Sequence, residues 1–159
     1  MNLLSESDWK GLFAEDSIDA LLAEHVWEHL SVEEGRRAAQ FCYHYLQPGG
    51  YLRTAVPDGL HPSPEYLQWV RPNGSGPGAD DHRVLYTATS FGELFEHVGF
   101  NVVWLEYFDE KKQFHFCDWK PEDGMVRRSR RFDPRNQNGK LQYTSLILDA
   151  RKPDGPPSI

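Results

Sequence analysis

The chain contains 159 residues, of which 39% are apolar or aromatic, enough to bury one core and to fill about one domain. Its 24 acidic residues outnumber the 17 lysines and arginines, which gives a formal net charge of -7. A negative field of this kind repels phosphate backbones and anionic lipid, so the composition argues against a nucleic-acid or membrane-surface partner.

The first segments of the chain predict a short helix followed by a strand. Ser5 and Asp8 form a capping pattern ahead of apolar residues, which predicts a helix within Ser5–Phe13. Ile18–Ala23 (IDALLA) is a compact apolar run without helical spacing, so we expect a strand that is buried on both faces.

The next segments predict a longer helix and a second strand. Ser31 and Glu34 form a capping box before apolar residues at helical spacing. Pro48–Gly50 should end this helix, and the run Tyr51–Val56 favours a strand. Strand, helix and strand in this order predict a right-handed crossover between parallel strands.

Two further helices are predicted on either side of a loop. Ser63 is placed to cap a short helix that has Pro64 at its first position. Arg71–Asp81 is rich in glycine and proline, and we expect it to form a mobile loop over the site. A capping box of Ser90 and Glu93 predicts the start of the next helix.

The last third of the chain is predicted to be mostly extended. Val102–Phe108 favours a strand, and Phe114–Trp119 favours either its hairpin partner or an extended excursion. Asn138–Gly139 is a turn signal ahead of Leu141–Ala150, which favours a long strand inside the sheet. We expect the tail from Pro153 onward to fray.

Hydropathy and cysteine usage indicate a cytoplasmic protein. No apolar run approaches the ~20 residues that cross a bilayer, and the first residues lack the order of a secretory signal. Cys42 and Cys117 are far apart in sequence, and each lies in an apolar stretch. We therefore predict two buried free thiols rather than a disulfide.

Several segments occur in an order and spacing known from one enzyme family. The chain resembles the C-terminal portion of class I S-adenosylmethionine-dependent methyltransferases, and its last third is similar to the distal antiparallel edge of that fold in a bacterial subgroup. The resemblance rests on the segments Glu24–Leu30, Leu46–Gly50, Tyr51–Val56, Pro57–Asp58, Leu105–Asp109 and Tyr143–Ser145.

The resemblance implies an α/β fold, a partial Rossmann-like methyltransferase fold. In the family the strand order is 3-2-1-4-5-7-6, and Ile18–Ala23 corresponds to the fourth strand. We therefore expect a mixed sheet of strands 4-5-7-6 with helices on its faces, one truncated domain over residues 1–152 and a flexible tail over 153–159. Only about 16 residues precede the fourth strand, too few for the first three strands since one crossover unit takes ~30. A start codon upstream of Met1 is the alternative explanation.

Two motifs match known sites by their letters. Gly74–Gly78 (GSGPG) matches a glycine-rich phosphate loop, but it contains a proline and no apolar helix follows, so a mobile loop is the preferred interpretation. His25, Glu28 and His29 spell HxxEH, which on a helix would suit a zinc hydrolase. This segment follows a strand directly and no third ligand is evident, so we predict no metal.

The resemblance instead places these residues at the carboxyl end of the fourth strand, where open parallel sheets bind ligands. It implies catalytic roles for Glu24, His25, Glu28 and Asp58, cofactor contacts for Ala23, Glu24 and His25, and substrate contacts for His29, His61 and His82.

Each of these roles has a structural alternative. Glu28 and His29 equally suit bracing of the following turn by hydrogen bonds. Asp58 equally suits an Asx turn with Gly59, and loop histidines such as His61 and His82 are more often solvated.

One basic cluster stands out in the acidic chain. Such a cluster suits an anionic substrate or an acidic partner surface, but acidic residues are interspersed, and we predict a solvated ion-pair surface. Its members are Arg127, Arg128, Arg130, Arg131 and Arg135.

Two functions are consistent with these observations. The first is transfer of a methyl group from S-adenosylmethionine to an unidentified small-molecule acceptor, with the cofactor half outside this sequence and activity of this chain alone in doubt. The second is a non-catalytic binding or oligomerisation module that retains the distal half of the fold. The module predicts a homodimer through the exposed edge of Ile18–Ala23, or an edge covered by Ser5–Phe13.

Overall fold

This computed structural model describes residues 1–136 and 139–155. The described residues contain four α-helices and five strands. In chain order they are α1 (Glu6–Leu12), β1 (Ile18–Glu24), α2 (Val32–Tyr45), β2 (Leu46–Pro57), α3 (Pro64–Val70), α4 (Ala88–Glu96), β3 (Asn101–Phe108), β4 (Phe114–Phe116) and β5 (Ser145–Arg151). One-turn 3-10 helices cover Trp27–His29, Ala79–Asp81 and Pro121–Asp123. Asn138 of the predicted turn and residues 156–159 of the predicted tail lie outside the described residues.

The strands form one mixed sheet in the order β1-β2-β5-β3-β4. β1 and β2 are parallel and α2 connects them, whereas β2–β5, β5–β3 and β3–β4 are antiparallel pairs. The first four strands in this order reproduce the expected sequence 4-5-7-6, and β4 is the predicted hairpin partner of β3. The predicted fold class and the parallel crossover are therefore confirmed.

Side-chain caps set the helix starts. Ser5 and Ser63 accept backbone N–H bonds from Asp8 and Tyr66, and Ser31 forms the predicted capping box with Glu34. The predicted start at Ser90 is wrong. There, Thr87 is the cap, and its Oγ1 accepts a bond from the backbone N–H of Ser90 at 3.3 Å, so α4 begins one turn earlier.

Three further expectations about burial and boundaries are wrong. β1 is not buried on both faces, because it pairs with β2 alone; only Ala23 is buried, and Leu22 is 49% exposed. Pro48–Gly50 lies inside β2, which begins at Leu46. Cys42 is buried as predicted, but Cys117 is exposed; both thiols are free.

The largest apolar cluster lies between the sheet and the helices on one face. It includes Trp9 and Trp27, and Trp9 stacks on Tyr45 of α2 with ring centroids 5.1 Å apart. A smaller cluster around Trp119 and Ile147 covers the other face. Among the helices of the described ranges, none has the length and apolar character to cross a bilayer.

Candidate functional site

A cavity of about 400 Å³ lies beyond the carboxyl ends of β1 and β2. Parallel pairing sets Glu24, the last residue of β1, beside Ala55 of β2, so the segments that leave both strands meet at this edge. The loop before α4 and the segment before β5 close the other sides. Its lining includes His25, Glu28, His29, Trp69, Gly78, His82, Arg128, Arg135 and Tyr143.

Glu28 is the buried polar residue of this cavity. Its carboxylate is fully buried, and Oε1 lies 2.8 Å from Nδ1 of His25. Within residues 1–136 and 139–155, neither carboxylate oxygen accepts a bond of hydrogen-bonding geometry. Burial of a carboxylate without hydrogen-bond donors is strongly unfavourable, so the stability of the fold does not explain this residue.

The backbone at His25 turns the chain out of β1 and places Glu28. His25 has φ of +55°, in the left-handed region that a residue with a Cβ seldom adopts. Its N–H donates to the carbonyl of Ala55 at 2.8 Å, which holds the turn against β2. Backbone strain of this kind occurs preferentially at functional sites.

A serine from the far end of the chain orients the His25 ring. Nε2 of His25 lies 2.9 Å from Oγ of Ser145, the buried first residue of β5. Both ring nitrogens therefore have a neighbour, Glu28 on one side and Ser145 on the other. Ser145 was not predicted from the sequence, because a pair separated by 120 residues leaves no local signal.

Glu24 holds a loop in place. Its two carboxylate oxygens accept the backbone N–H groups of Arg127 and Arg128 at 3.1 and 2.7 Å. This contact brings the basic segment to the site, where Arg128 and Arg135 line the cavity.

The predicted ion-pair surface of the basic cluster is present at Arg135, which forms a two-point ion pair with Asp133. The same arginine also lines the cavity.

Asp58 forms an Asx turn, which was the structural alternative to a catalytic role. One carboxylate oxygen accepts the N–H of Leu60 at 2.9 Å, an Asx turn, and the other accepts the N–H of Phe108 at 2.8 Å. Burial raises the pKa of Asp58 to about 6, although both N–H donors favour the charged form. Asp58 ties the end of β2 to the end of β3.

His61 lines a second cavity of about 460 Å³, which shares Trp69, Arg135 and Tyr143 with the first. Its ring stacks on Tyr66 with centroids 3.9 Å apart, and its Nδ1 accepts the N–H of Ser63. Burial lowers the pKa of His61 to about 4, so the ring is neutral near pH 7.

The rings of His29 and His82 are in edge-to-face contact at the wall of the first cavity, with centroids 4.8 Å apart. The structure thus brings four of the candidate residues to one cavity, namely His25, Glu28, His29 and His82. Ala23, Glu24 and Asp58 are not among the described residues that line either cavity.

Comparison with known proteins identifies the family. A family model described as a methyltransferase domain matches residues 4–105. A methyltransferase from Archaeoglobus fulgidus, described as SAM-dependent, superposes with a TM-score of 0.56 at 14% identity, over 96% of this chain and 66% of that one. An O-methyltransferase family protein from Burkholderia thailandensis gives 0.56 at 12% identity, over 98% of this chain and 35% of that one. No curated protein matches.

The fold is therefore that of the S-adenosylmethionine-dependent methyltransferases. Since the family model covers more than half of the sequence, the chain belongs to the methyltransferase domain family. It spans 35 to 66% of the length of the two structures above. The [4+2]-cyclase SpnF is also similar, with a TM-score of 0.53 at 19% identity over 98% of this chain and 56% of that one. Within this fold, the chemistry is decided by the site.

Proposed function

We propose that this chain takes part in the transfer of a methyl group from S-adenosylmethionine and that the cavity at the ends of β1 and β2 receives the acceptor. The family match supports the reaction class. The observation that carries the proposal is the buried Glu28 carboxylate beside His25, facing this cavity without a hydrogen bond from the described residues.

The residues predicted to contact the cofactor do not fit that role as side-chain ligands. Ala23 lies within β1 and has no polar side-chain group, and the oxygens of Glu24 hold the backbone of Arg127 and Arg128. The ring nitrogens of His25 face Glu28 and Ser145. The side chains of these residues are therefore engaged within the fold and do not themselves hold the cofactor.

The cavity contains groups that can orient an acceptor and remove a proton from it. Trp69 and Tyr143 offer apolar walls, and Arg128 and Arg135 offer positive charge to an acceptor that ionises. Oε1 of Glu28, 2.8 Å from Nδ1 of His25, accepts the proton that the acceptor releases. These features favour an acceptor with an apolar body and an acidic hydroxyl or similar group.

Titration calorimetry with S-adenosylmethionine tests the reaction class. We expect saturable binding at micromolar ligand and release of S-adenosylhomocysteine with a panel of phenols and carboxylic acids. Glu28→Gln should lower that release by about 100-fold or more while cofactor binding persists, because proton transfer of this kind contributes about that much. Glu93→Gln, on the exposed face of α4, removes the same charge and should leave the release unchanged.

Absence of binding at millimolar cofactor, with the protein folded, would contradict the proposal. It would favour the non-catalytic module, which one observation supports. Within the described residues β1 has a strand neighbour on one side only, and Leu22 is exposed there. The homodimer through Ile18–Ala23, the domain boundary at residue 152 and the cytoplasmic location stay predictions.

A further inference from the structure

We propose that Glu28, His29 and His82 form a site for one divalent transition-metal ion of the zinc class, with a coordination position open to the cavity. Each residue offers one ligand atom, and the three atoms lie within 4.8 Å of one another. Two imidazoles and one carboxylate are a donor set that suits Zn²⁺ or Fe²⁺ and that hard ions such as Mg²⁺ avoid. The site uses Oε2 of Glu28, whereas the methyl-transfer proposal uses Oε1 beside His25, so either proposal can fail without the other.

The carboxylate provides the first independent indication of a ligand. Glu28 is fully buried, and among the described residues no donor bonds to its oxygens. Oε1 is next to Nδ1 of His25, which leaves Oε2 for a metal. Ligating groups are commonly oriented by an outer partner of this kind, and His25 is in turn oriented by Ser145.

His82 is oriented as a metal ligand usually is, and His29 has a carboxylate close to its ring. Nδ1 of His82 lies 2.7 Å from the carbonyl oxygen of Val70, which accepts its proton and leaves Nε2 with a free lone pair. Nδ1 of His29 lies 2.8 Å from Oδ1 of the exposed Asp81 but without hydrogen-bonding geometry, so a rotation of this ring is needed to give the same tautomer. A carbonyl or carboxylate behind each ring is the usual outer-shell arrangement.

Backbone bonds hold the two halves of the site together. The carbonyl oxygen of Glu28 accepts the N–H groups of Arg83 and Val84 at 2.7 and 3.3 Å. His82 therefore stays beside the Trp27–His29 turn although more than fifty residues separate them in sequence. This distance along the chain is why the HxxEH pattern showed no third ligand.

Metal binding requires a small contraction. Three ligands at ordinary zinc distances are about 3.3 Å apart in a tetrahedral site. The three ligand atoms lie within 4.8 Å of one another, so small side-chain rotations are needed to bring them to those separations. Arg128 and Arg135 line the same cavity and oppose any cation held by charge alone. The choice of metal ion should therefore depend on the nitrogen and oxygen ligands rather than on net charge. The two arginines favour an anion at the open coordination position.

Metal-free protein titrated with Zn²⁺ in a calorimeter tests the site, and Co²⁺ supplies an absorption spectrum that reports nitrogen and oxygen ligation. We expect one ion per chain, a tetrahedral cobalt band and no binding of Mg²⁺. His29→Ala and His82→Ala should each weaken binding more than ~100-fold, since loss of an outer partner already costs about 10–100-fold. Competition between Zn²⁺ and anaerobic Fe²⁺ then assigns the ion.

Two controls keep the test specific to these residues. His97→Ala removes an exposed histidine at the end of α4 and should leave Zn²⁺ affinity unchanged. Asp81→Asn should weaken binding about tenfold, by removing the outer partner of His29. Absence of binding to folded wild-type protein, or equal loss in the His97 and His82 variants, would overturn the proposal.

Discussion

Two buried carboxylates in this molecule have opposite surroundings. In the middle of the sheet, the carboxylate of Asp149 in β5 accepts hydrogen bonds from Nε and Nη2 of Arg53 at 2.7 and 3.0 Å. Both side chains are buried. At the edge of the sheet, Glu28 is equally buried but has only the nearby ring of His25. Since burial costs both groups the same kind of desolvation energy, the pairing at Asp149 serves the fold and its absence at Glu28 points to a ligand.

Two other buried carboxylates resemble Asp149. Asp58 accepts two backbone N–H bonds, and Glu106 accepts the indole N–H of Trp119 at 3.3 Å and the N–H of Arg130 at 2.7 Å. Glu28 is thus set apart by its lack of donors among the described residues rather than by burial. Stability measurements on variants of these groups test this contrast.

The largest effect is expected at the centre of the sheet. Arg53→Met leaves the Asp149 charge buried without its two-point partner, which should lower the free energy of unfolding by about 3–5 kcal/mol. Denaturant unfolding at pH 7 measures it. Arg151→Met removes the half-exposed second partner of Asp149 and should cost at most about 1 kcal/mol. Equal, small losses in the two variants would remove the structural role assigned to the Arg53 pair.

An intermediate effect is expected from the pH dependence at Asp58. Its pKa of about 6 exceeds the ordinary 3.8, so the folded chain binds the proton more tightly than the unfolded chain between these values. The free energy of unfolding should therefore fall as the pH rises from about 4 to 6, by an amount of order 2–3 kcal/mol.

Asp58→Asn should abolish that contribution. The lowered pKa of His61 acts in the opposite direction over the same range, but it is present in both proteins and cancels in their difference. Urea unfolding of the wild type and the variant at pH 4, 5, 6 and 7 gives this difference. Parallel curves would mean that burial does not disfavour the Asp58 charge.

Local patterns were sufficient to predict most of the fold. Capping by Ser5, Ser31 and Ser63 involves residues within one turn, so each helix start could be inferred from a short window. The crossover between parallel strands followed from the order of elements, and the resemblance supplied the strand order. The start of α4 at Thr87 was not predicted, because two capping patterns overlap there and Ser90 occupies the third helical position.

The site depended on contacts that no local pattern contains. The sequence pointed to His25 and Glu28 at the end of a parallel strand, and the structure places both in a cavity. Their partners come from distant segments: Ser145 lies in β5 and His82 follows the glycine-rich loop. The engagement of Glu24 with the backbone of the arginine segment was equally unpredictable, since it joins residues more than a hundred positions apart.

The smallest stability effect provides the most direct test of the claim that Glu28 is kept for a ligand. We compare Glu28→Gln with Glu106→Gln by denaturant unfolding of the ligand-free and metal-free protein at pH 7. Glu28→Gln should leave the free energy of unfolding unchanged or raise it by up to about 1 kcal/mol, because it removes a buried charge that lacks donors. Glu106→Gln should lower it by about 1–3 kcal/mol, because the amide cannot accept both N–H bonds. A loss at Glu28 as large as the loss at Glu106 would contradict the account.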